Sequence, residues 1–226
     1  MQRMLSNDVT EGDEVDALLL TSKARLIAPL RVQRRDADDF LLLTEPELGE
    51  AVRTTLLRAR FAAKCEIELE QHSSTIVFDA VEGIPNRDYG HPAVELLDAA
   101  VEPSLGDDEL ERLRIEAVTP RFGREIDDRV LPAEAGLDER AVSFSKGCYP
   151  GQEPVARQHY RGKVNRKLRV LELDGDAPAA ETPVVHDGKE VGRITSAVPG
   201  LALAYVRVSV PDDAVLDVDG RSARLH

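Results

Sequence analysis

Lys146-Gly147-Cys148-Tyr149-Pro150-Gly151-Gln152-Glu153 places a thiol in a turn immediately ahead of a helix. Gly147 and Gly151 permit φ > 0 and let a ligand approach the backbone closely. Pro150 fixes its own φ. Gln152–Tyr160 reads as a helix, because Pro154 falls in the first turn, where its missing N–H removes no hydrogen bond. A cysteine just before a helix N-terminus and beside Lys146 has the setting that lowers a thiol pKa, and the thiolate would serve as nucleophile, redox centre or soft metal ligand. The alternative is that Cys148 is a small buried residue in a tight turn.

Downstream, Arg157–Arg169 holds Arg157, Arg161, Lys163, Arg166, Lys167 and Arg169 with no acid among them. The whole chain carries a net charge of −13, from 42 acidic and 29 basic side chains, so this run reverses the local sign. It suits an anionic ligand, either the carboxylates of a small molecule or a phosphate backbone, or else it is a solvated strand and linker. Elsewhere the acidity repels nucleic acid and favours solubility. From Arg166 onward short strands and turns alternate. Leu168–Leu173 alternates apolar with charged residues, Asp187-Gly188 and Asp219-Gly220 suit type I′ hairpin turns, and Leu201–Val208 is strand-like. A small antiparallel barrel or sandwich is expected here, with the domain boundary near Arg161–Arg166.

Upstream, Val15–Leu20, Leu26–Val32 and Phe40–Thr44 read as a meander of strands, Pro29 arguing for an edge or bulge. A helix opens at Glu45-Pro46-Glu47, with Leu48, Val52, Leu56 and Leu57 at helical spacing. Lys64–Leu69 is expected to be a strand with Cys65, Ile67 and Leu69 on one face, making Cys65 a core residue. Thr75–Val81 is a further strand and Gly83–Gly90 a loop. Asp107–Ala117 is a helix, its acidic first turn suited to the dipole, with Leu110, Leu113 and Val118 on one face. Near its end, Arg114-Ile115-Glu116 offers a carboxylate able to accept paired N–H donors from a heterocycle, or an ordinary surface charge at a helix end.

The 226 residues fit one large domain, or one plus a small one. Hydrophobic residues make up 42%, but aromatics only 4% and Trp is absent, so aliphatic side chains must fill the core. Two cysteines do not form a disulfide framework, and no Cys/His cluster has zinc-ligand spacing, so no metal site is expected. His159 and His186 read as surface residues without catalytic companions. The first residues lack the apolar run of a signal peptide, and no stretch of about 18 apolar residues exists, so the expectation is a cytoplasmic protein with no membrane contact.

Lys146–Glu153 resembles the signature of the YgfZ family, Lys-Gly-Cys-Tyr-x-Gly-Gln-Glu. Arg114-Ile115-Glu116, Pro120, Gly123, Glu125 and Pro132–Glu134 resemble the block before it. Ala156-Arg157 and Arg161-Gly162 follow it, and Gly192–Ser196 and Gly200–Ala202 resemble the family's C-terminal barrel. Leu5–Thr10 resembles an early helix. Family members usually begin with extra residues before Leu5, which leaves a first strand missing or the start placed elsewhere. The family is related to the aminomethyltransferase of glycine cleavage (GcvT). The resemblance implies an α+β fold, with a GcvT-like folate-binding domain over 1–163 and a small antiparallel β-barrel domain over 164–226. It implies tetrahydrofolate as cofactor, a role in assembling or repairing iron–sulfur clusters in client enzymes, and a link to tRNA modification through those enzymes. By motif, Cys148 would be the reactive thiol. Glu116, Arg114, Lys146, Tyr149, Gly151, Gln152, Glu153 and Arg157 would line the folate, with Glu116 on the pterin and Arg157 on its carboxylates. The aminomethyltransferase carries an acidic pair where this chain has Lys23-Ala24-Arg25-Leu26-Ile27-Ala28-Pro29, and Val118 replaces a usual Gly. Without that acid, help in proton transfer at the folate nitrogen is missing. Three readings follow in order: a folate-dependent accessory to iron–sulfur proteins, an active aminomethyl or one-carbon transferase, and an RNA-binding module. tRNA ranks last as a direct ligand.

Overall fold

The computed structural model describes residues 1–10, 12, 14–60, 64–162 and 164–226. Along the chain the elements are β1 (Glu14–Leu20), β2 (Leu26–Arg34), β3 (Phe40–Leu43), α1 (Gly49–Ala59), β4 (Ser74–Phe78), β5 (Ile84–Asn86), β6 (Ala93–Leu97), α2 (Asp107–Glu116), α3 (Leu137–Arg140), α4 (Gln152–Arg161), β7 (Arg166–Leu173), β8 (Pro183–His186), β9 (Lys189–Val198), β10 (Leu201–Arg207), β11 (Val215–Val218) and β12 (Arg221–Leu225). They divide into two compact units, Met1–His72 with Ile126–Lys163, and Ser73–Glu125 with Val164–His226.

In the first unit β1, β2 and β3 form an antiparallel meander. Alternate residues Leu26, Ala28, Leu30 and Val32 of β2 are buried, and Ala17–Leu20 of β1 are buried on both faces. Pro29 nevertheless lies in the middle strand. It is tolerated because the β2–β3 ladder stops at Arg31, and the Pro29 carbonyl instead accepts from Thr44 Oγ1 at 2.8 Å. β3 is half-buried rather than buried. A 3-10 turn at Pro46–Leu48 leads into α1, which buries Val52 and Leu56.

Four expectations fail in physically clear ways. Lys64–Leu69 is not a strand: the Ile67 and Cys65 carbonyls accept from Arg53 and Arg60 of the α1 region at 3.3 and 3.1 Å, and Cys65 is exposed. Leu5–Thr10 is not a helix, since Leu5 bridges to Leu19 beside β1. Gly83–Gly90 contains β5, which joins β4 and β6 in a three-stranded sheet of order β4-β6-β5. α2 buries Arg114 and Ile115, whereas Val118 is exposed with φ 54.

The second unit contains the barrel expected from the hairpins. β10-β7-β12-β11-β8-β9 close into an antiparallel ring. Asp187 and Gly188 have φ 50 and 71, and Asp219 and Gly220 have φ 56 and 76, the two positive values a type I′ turn requires. Its interior is aliphatic, with Leu171, Val184, Ile194, Leu216 and Val218 around the small Ala202, Ala204 and Ala223. Gly192 is obligatory at its position, because a Cβ there would lie 2.1 Å from the Tyr205 carbonyl oxygen.

Candidate functional site

The turn Tyr149–Gln152 closes with the Gln152 N–H donating to the Tyr149 carbonyl at 3.3 Å, and α4 begins at once, Val155 N–H donating to Gly151 O at 3.2 Å. Pro154 sits in the first turn as expected. Of the two glycines, only Gly151 has a left-handed conformation, φ 83; Gly147 does not, and nothing lies within 4 Å of where its Cβ would stand. Gly151 is required twice over. A Cβ there would meet Thr21 O at 2.7 Å and Ala24 Cα at 3.0 Å, so the turn packs backbone to backbone on the Thr21–Ala24 turn. Ala24 itself has φ 57, and this turn carries no acid.

Cys148 is exposed on this frame, which removes the reading of it as a small buried residue. Lys146, two residues before, is buried, and its Nζ donates to the carbonyl oxygens of Gln2, Leu5 and Asn7 at 2.7, 2.6 and 2.6 Å. Burial pushes its pKa below the usual lysine value, with Asp8 opposing. Tyr149 is buried with the Lys146 ammonium 5.6 Å from its ring centroid. Its hydroxyl has no hydrogen-bond partner among the described residues, and burial pushes its pKa up to about 12. Gln152 is half-buried, and Glu153 and Arg157 are exposed on α4. His159 of α4 stacks on Phe144 with centroids 3.9 Å apart and lies 3.6 Å from Asp138. A small, mainly apolar pocket beside α4 is lined by Ala24, Leu131, Pro132, Asp138, Val155 and Gln158, with room for about one water molecule.

Arg114 and Glu116 belong to the other unit. Glu116 is half-exposed in the last turn of α2, 3.9 Å from Arg112. Arg114 is buried and engaged on all sides: by Glu111 at 2.7 Å, by Glu125 at 3.1 Å and by the Thr119 carbonyl. Burial opposes its charge, but Glu111 and Glu125 outweigh that and raise its pKa. The fully buried carboxylate is Glu125, which also accepts from the Arg121 N–H at 3.0 Å and Ser196 Oγ at 2.6 Å, while the Tyr205 hydroxyl donates to its backbone oxygen at 2.9 Å. Sequence reading gave Glu125 no role. The signals available were its place four residues after Arg121 and the Gly192–Ser196 block that supplies its serine partner.

The basic run is divided between the two units. Arg157 lies in one unit and Arg166–Arg169 in the other. Arg166 covers the Tyr205 ring at 4.8 Å and Arg169 pairs with Asp212 at 2.8 Å. Lys163 and the Arg161 side chain lie outside the described residues. Among the described residues no group of three or more His, Cys, Asp or Glu side chains is placed to hold a metal ion, and no helix is long and apolar enough to cross a membrane.

Residues 165–226 match the family model described as the CAF17 C-terminal beta-barrel domain. An aminomethyltransferase of Moorella thermoacetica is 34% identical over half of this chain and a third (33%) of its own length. The iron–sulfur cluster assembly factor IBA57 of Mus musculus is 36% identical over 34% of this chain and 24% of its own. The matched stretches thus span about a quarter to a third of these relatives. A crystal structure of the glycine cleavage system aminomethyltransferase T from Bartonella henselae superposes with a TM-score of 0.80 at 18% identity, covering 100% of this chain and 78% of that one. The chain thus has the aminomethyltransferase fold along its whole length, a C-terminal barrel of the CAF17 type, and partial likeness to both the aminomethyltransferases and the IBA57 assembly factors.

Proposed function

We propose that this protein binds tetrahydrofolate and supports the assembly or repair of iron–sulfur clusters in client enzymes, with Cys148 as its working thiol. The observation that carries the reading is the contrast inside one short turn. Cys148 is exposed, yet the residues on both sides of it are fixed, Lys146 by three carbonyls and Gly151 by the Thr21–Ala24 backbone. A thiol presented on an ordered backbone is suited to meeting a partner's sulfur, metal or thiol at a defined place.

Folate fits the side chains present in two respects. Tyr149 offers a buried hydroxyl that nothing among the described residues satisfies, the kind of group that a ligand atom completes. Glu116 and Arg157 are exposed charges with the signs that a pterin's N–H edge and a glutamate tail require. Lys146 has no N–H left to give. The one-carbon transferase reading has no acid on the Thr21–Arg25 turn to rest on.

The test is a reduced-folate titration of wild type, Glu116→Ala and Arg157→Ala, joined to complementation of cells lacking the protein by Cys148→Ala. Micromolar binding that weakens about tenfold or more in a charge variant supports a folate contact at that residue. Absence of binding to wild type removes the folate, and full rescue of iron–sulfur enzyme activity by Cys148→Ala removes the thiol.

A further inference from the structure

Lys146 stands two residues from the thiol, a position from which a lysine ordinarily stabilises a thiolate. Its ammonium is committed elsewhere. An ammonium has three N–H donors, and here all three meet carbonyl oxygens of Gln2, Leu5 and Asn7 at 2.6–2.7 Å. The same N-terminal residues are laced to the run before Lys146. The Ser143 N–H donates to Ser6 O at 3.0 Å, Ser6 Oγ donates to Ala141 O at 2.5 Å, and Asn7 Nδ2 reaches Arg140 O at 3.3 Å. They are also tied to β1, through the Leu5–Leu19 bridge, the Leu18 N–H donating to Ser6 Oγ at 2.7 Å, and Asn7 Nδ2 donating to Asp16 O at 2.7 Å.

We propose that Gln2–Asn7 form a strap that sets the position of the Cys148 turn by gripping the Lys146 ammonium, so that Lys146 is a positioning residue and neither a folate ligand nor an electrostatic activator of the thiol. The proposal rests on the reading of Cys148 as the working group. Cys148 lies two residues after one anchor, Lys146, and three before the other, Gly151. Both anchors bear on the first 24 residues, one on the strap and one on the Thr21–Ala24 turn. The three carbonyls absorb the ammonium's charge locally, which leaves less of it to act on a neighbouring sulfur.

The experiment uses the full chain as wild type, Lys146→Met and Asn7→Ala. Cys148 alkylation by iodoacetamide is followed against pH, with the exposed Cys65 of the same unit as internal reference, and amide hydrogen exchange is read over 144–151. The strap predicts exchange at least about tenfold faster over 144–151 in Lys146→Met, since the variant loses three charge-assisted hydrogen bonds and one alone is worth about that factor, and a smaller rise in Asn7→Ala. It predicts a several-fold higher plateau of Cys148 alkylation relative to Cys65, with the midpoint of the pH profile unmoved. An upward shift of that midpoint in Lys146→Met with exchange unaltered overturns the proposal, because the lysine would then act through its charge. So does faster exchange confined to residues 1–8. If Lys146→Met fails to fold, Asn7→Ala decides, since it leaves the ammonium in place. Folate titration of the same proteins separates the two ideas: a wild type that binds no folate refutes the folate reading and leaves the exchange result standing.

Discussion

At the scale of the residue, Tyr149 and Cys148 are neighbours with opposite fates. The sulfur is exposed and the phenol is buried, with its hydroxyl unbonded. An unbonded buried hydroxyl costs free energy that phenylalanine would not. Tyr149→Phe is therefore expected to match wild type in stability or exceed it by up to about 1 kcal/mol by chemical denaturation. Its absorbance titration should lose the tyrosinate step near pH 12 that burial imposes. If the hydroxyl completes a folate contact, the same variant binds reduced folate about tenfold more weakly. Unchanged affinity would clear it of any ligand role. The eight-residue signature told more about this site than any periodicity, because glycine, proline and cysteine report backbone shape and reactivity directly. Gly151 illustrates the yield, since its left-handed conformation was legible. Its contact with Thr21 and Ala24 was not, because that depends on a partner more than a hundred residues away in sequence.

At the scale of the element, two ion-pair groups fix segments that periodicity describes poorly. α2 presents Arg114, a charged residue, to the interior, where Glu111, Glu125 and Ser196 complete a network. Hydrophobic spacing cannot anticipate a helix that buries an arginine: Leu110 and Leu113 are half-buried on the side of Arg114, whereas Val118 lies beyond the helix end and is exposed. Arg114→Met leaves the Glu125 carboxylate buried without its cation, at a cost of about 3–5 kcal/mol, seen as a fall in Tm; Arg114→Met with Glu125→Met should recover most of it. Little loss in the single variant would mean that Glu125 is reached by water or takes up a proton. The coil after α1 is held by a second group. Arg35 grips Glu70 through two bonds of 2.9 and 2.7 Å, and His72 Nε2 lies 2.9 Å from the same carboxylate, holding its pKa down at about 2. A carboxyl whose folded pKa lies below its unfolded value of 4.5 stabilises the fold above that value and loses the effect as pH falls toward 2. Wild type should therefore melt higher than Glu70→Gln near neutral pH, with the gap closing steadily between about pH 4.5 and 2. A gap independent of pH in that window would show that the pair does not act through charge. The pair is largely exposed, so the gap at neutral pH should be small.

At the scale of the whole chain, the strands of the barrel were legible because the Asp-Gly turns are local signals, and their φ values carry out the type I′ geometry the dipeptides specify. The short sheet β4-β6-β5 was only partly legible. β5 is three residues long and contains Pro85, and β6 was passed over. Closure of the second-unit ring has a consequence for association. Every strand from β7 to β12 has a neighbour on both sides, so none offers a row of unpaired N–H and C=O groups to another chain. Among the described residues, a partner polypeptide that docks by adding a strand finds its edges on the two open sheets, at β3 in one and at β4 and β5 in the other, because the outer side of β1 is already occupied by Leu5–Asn7.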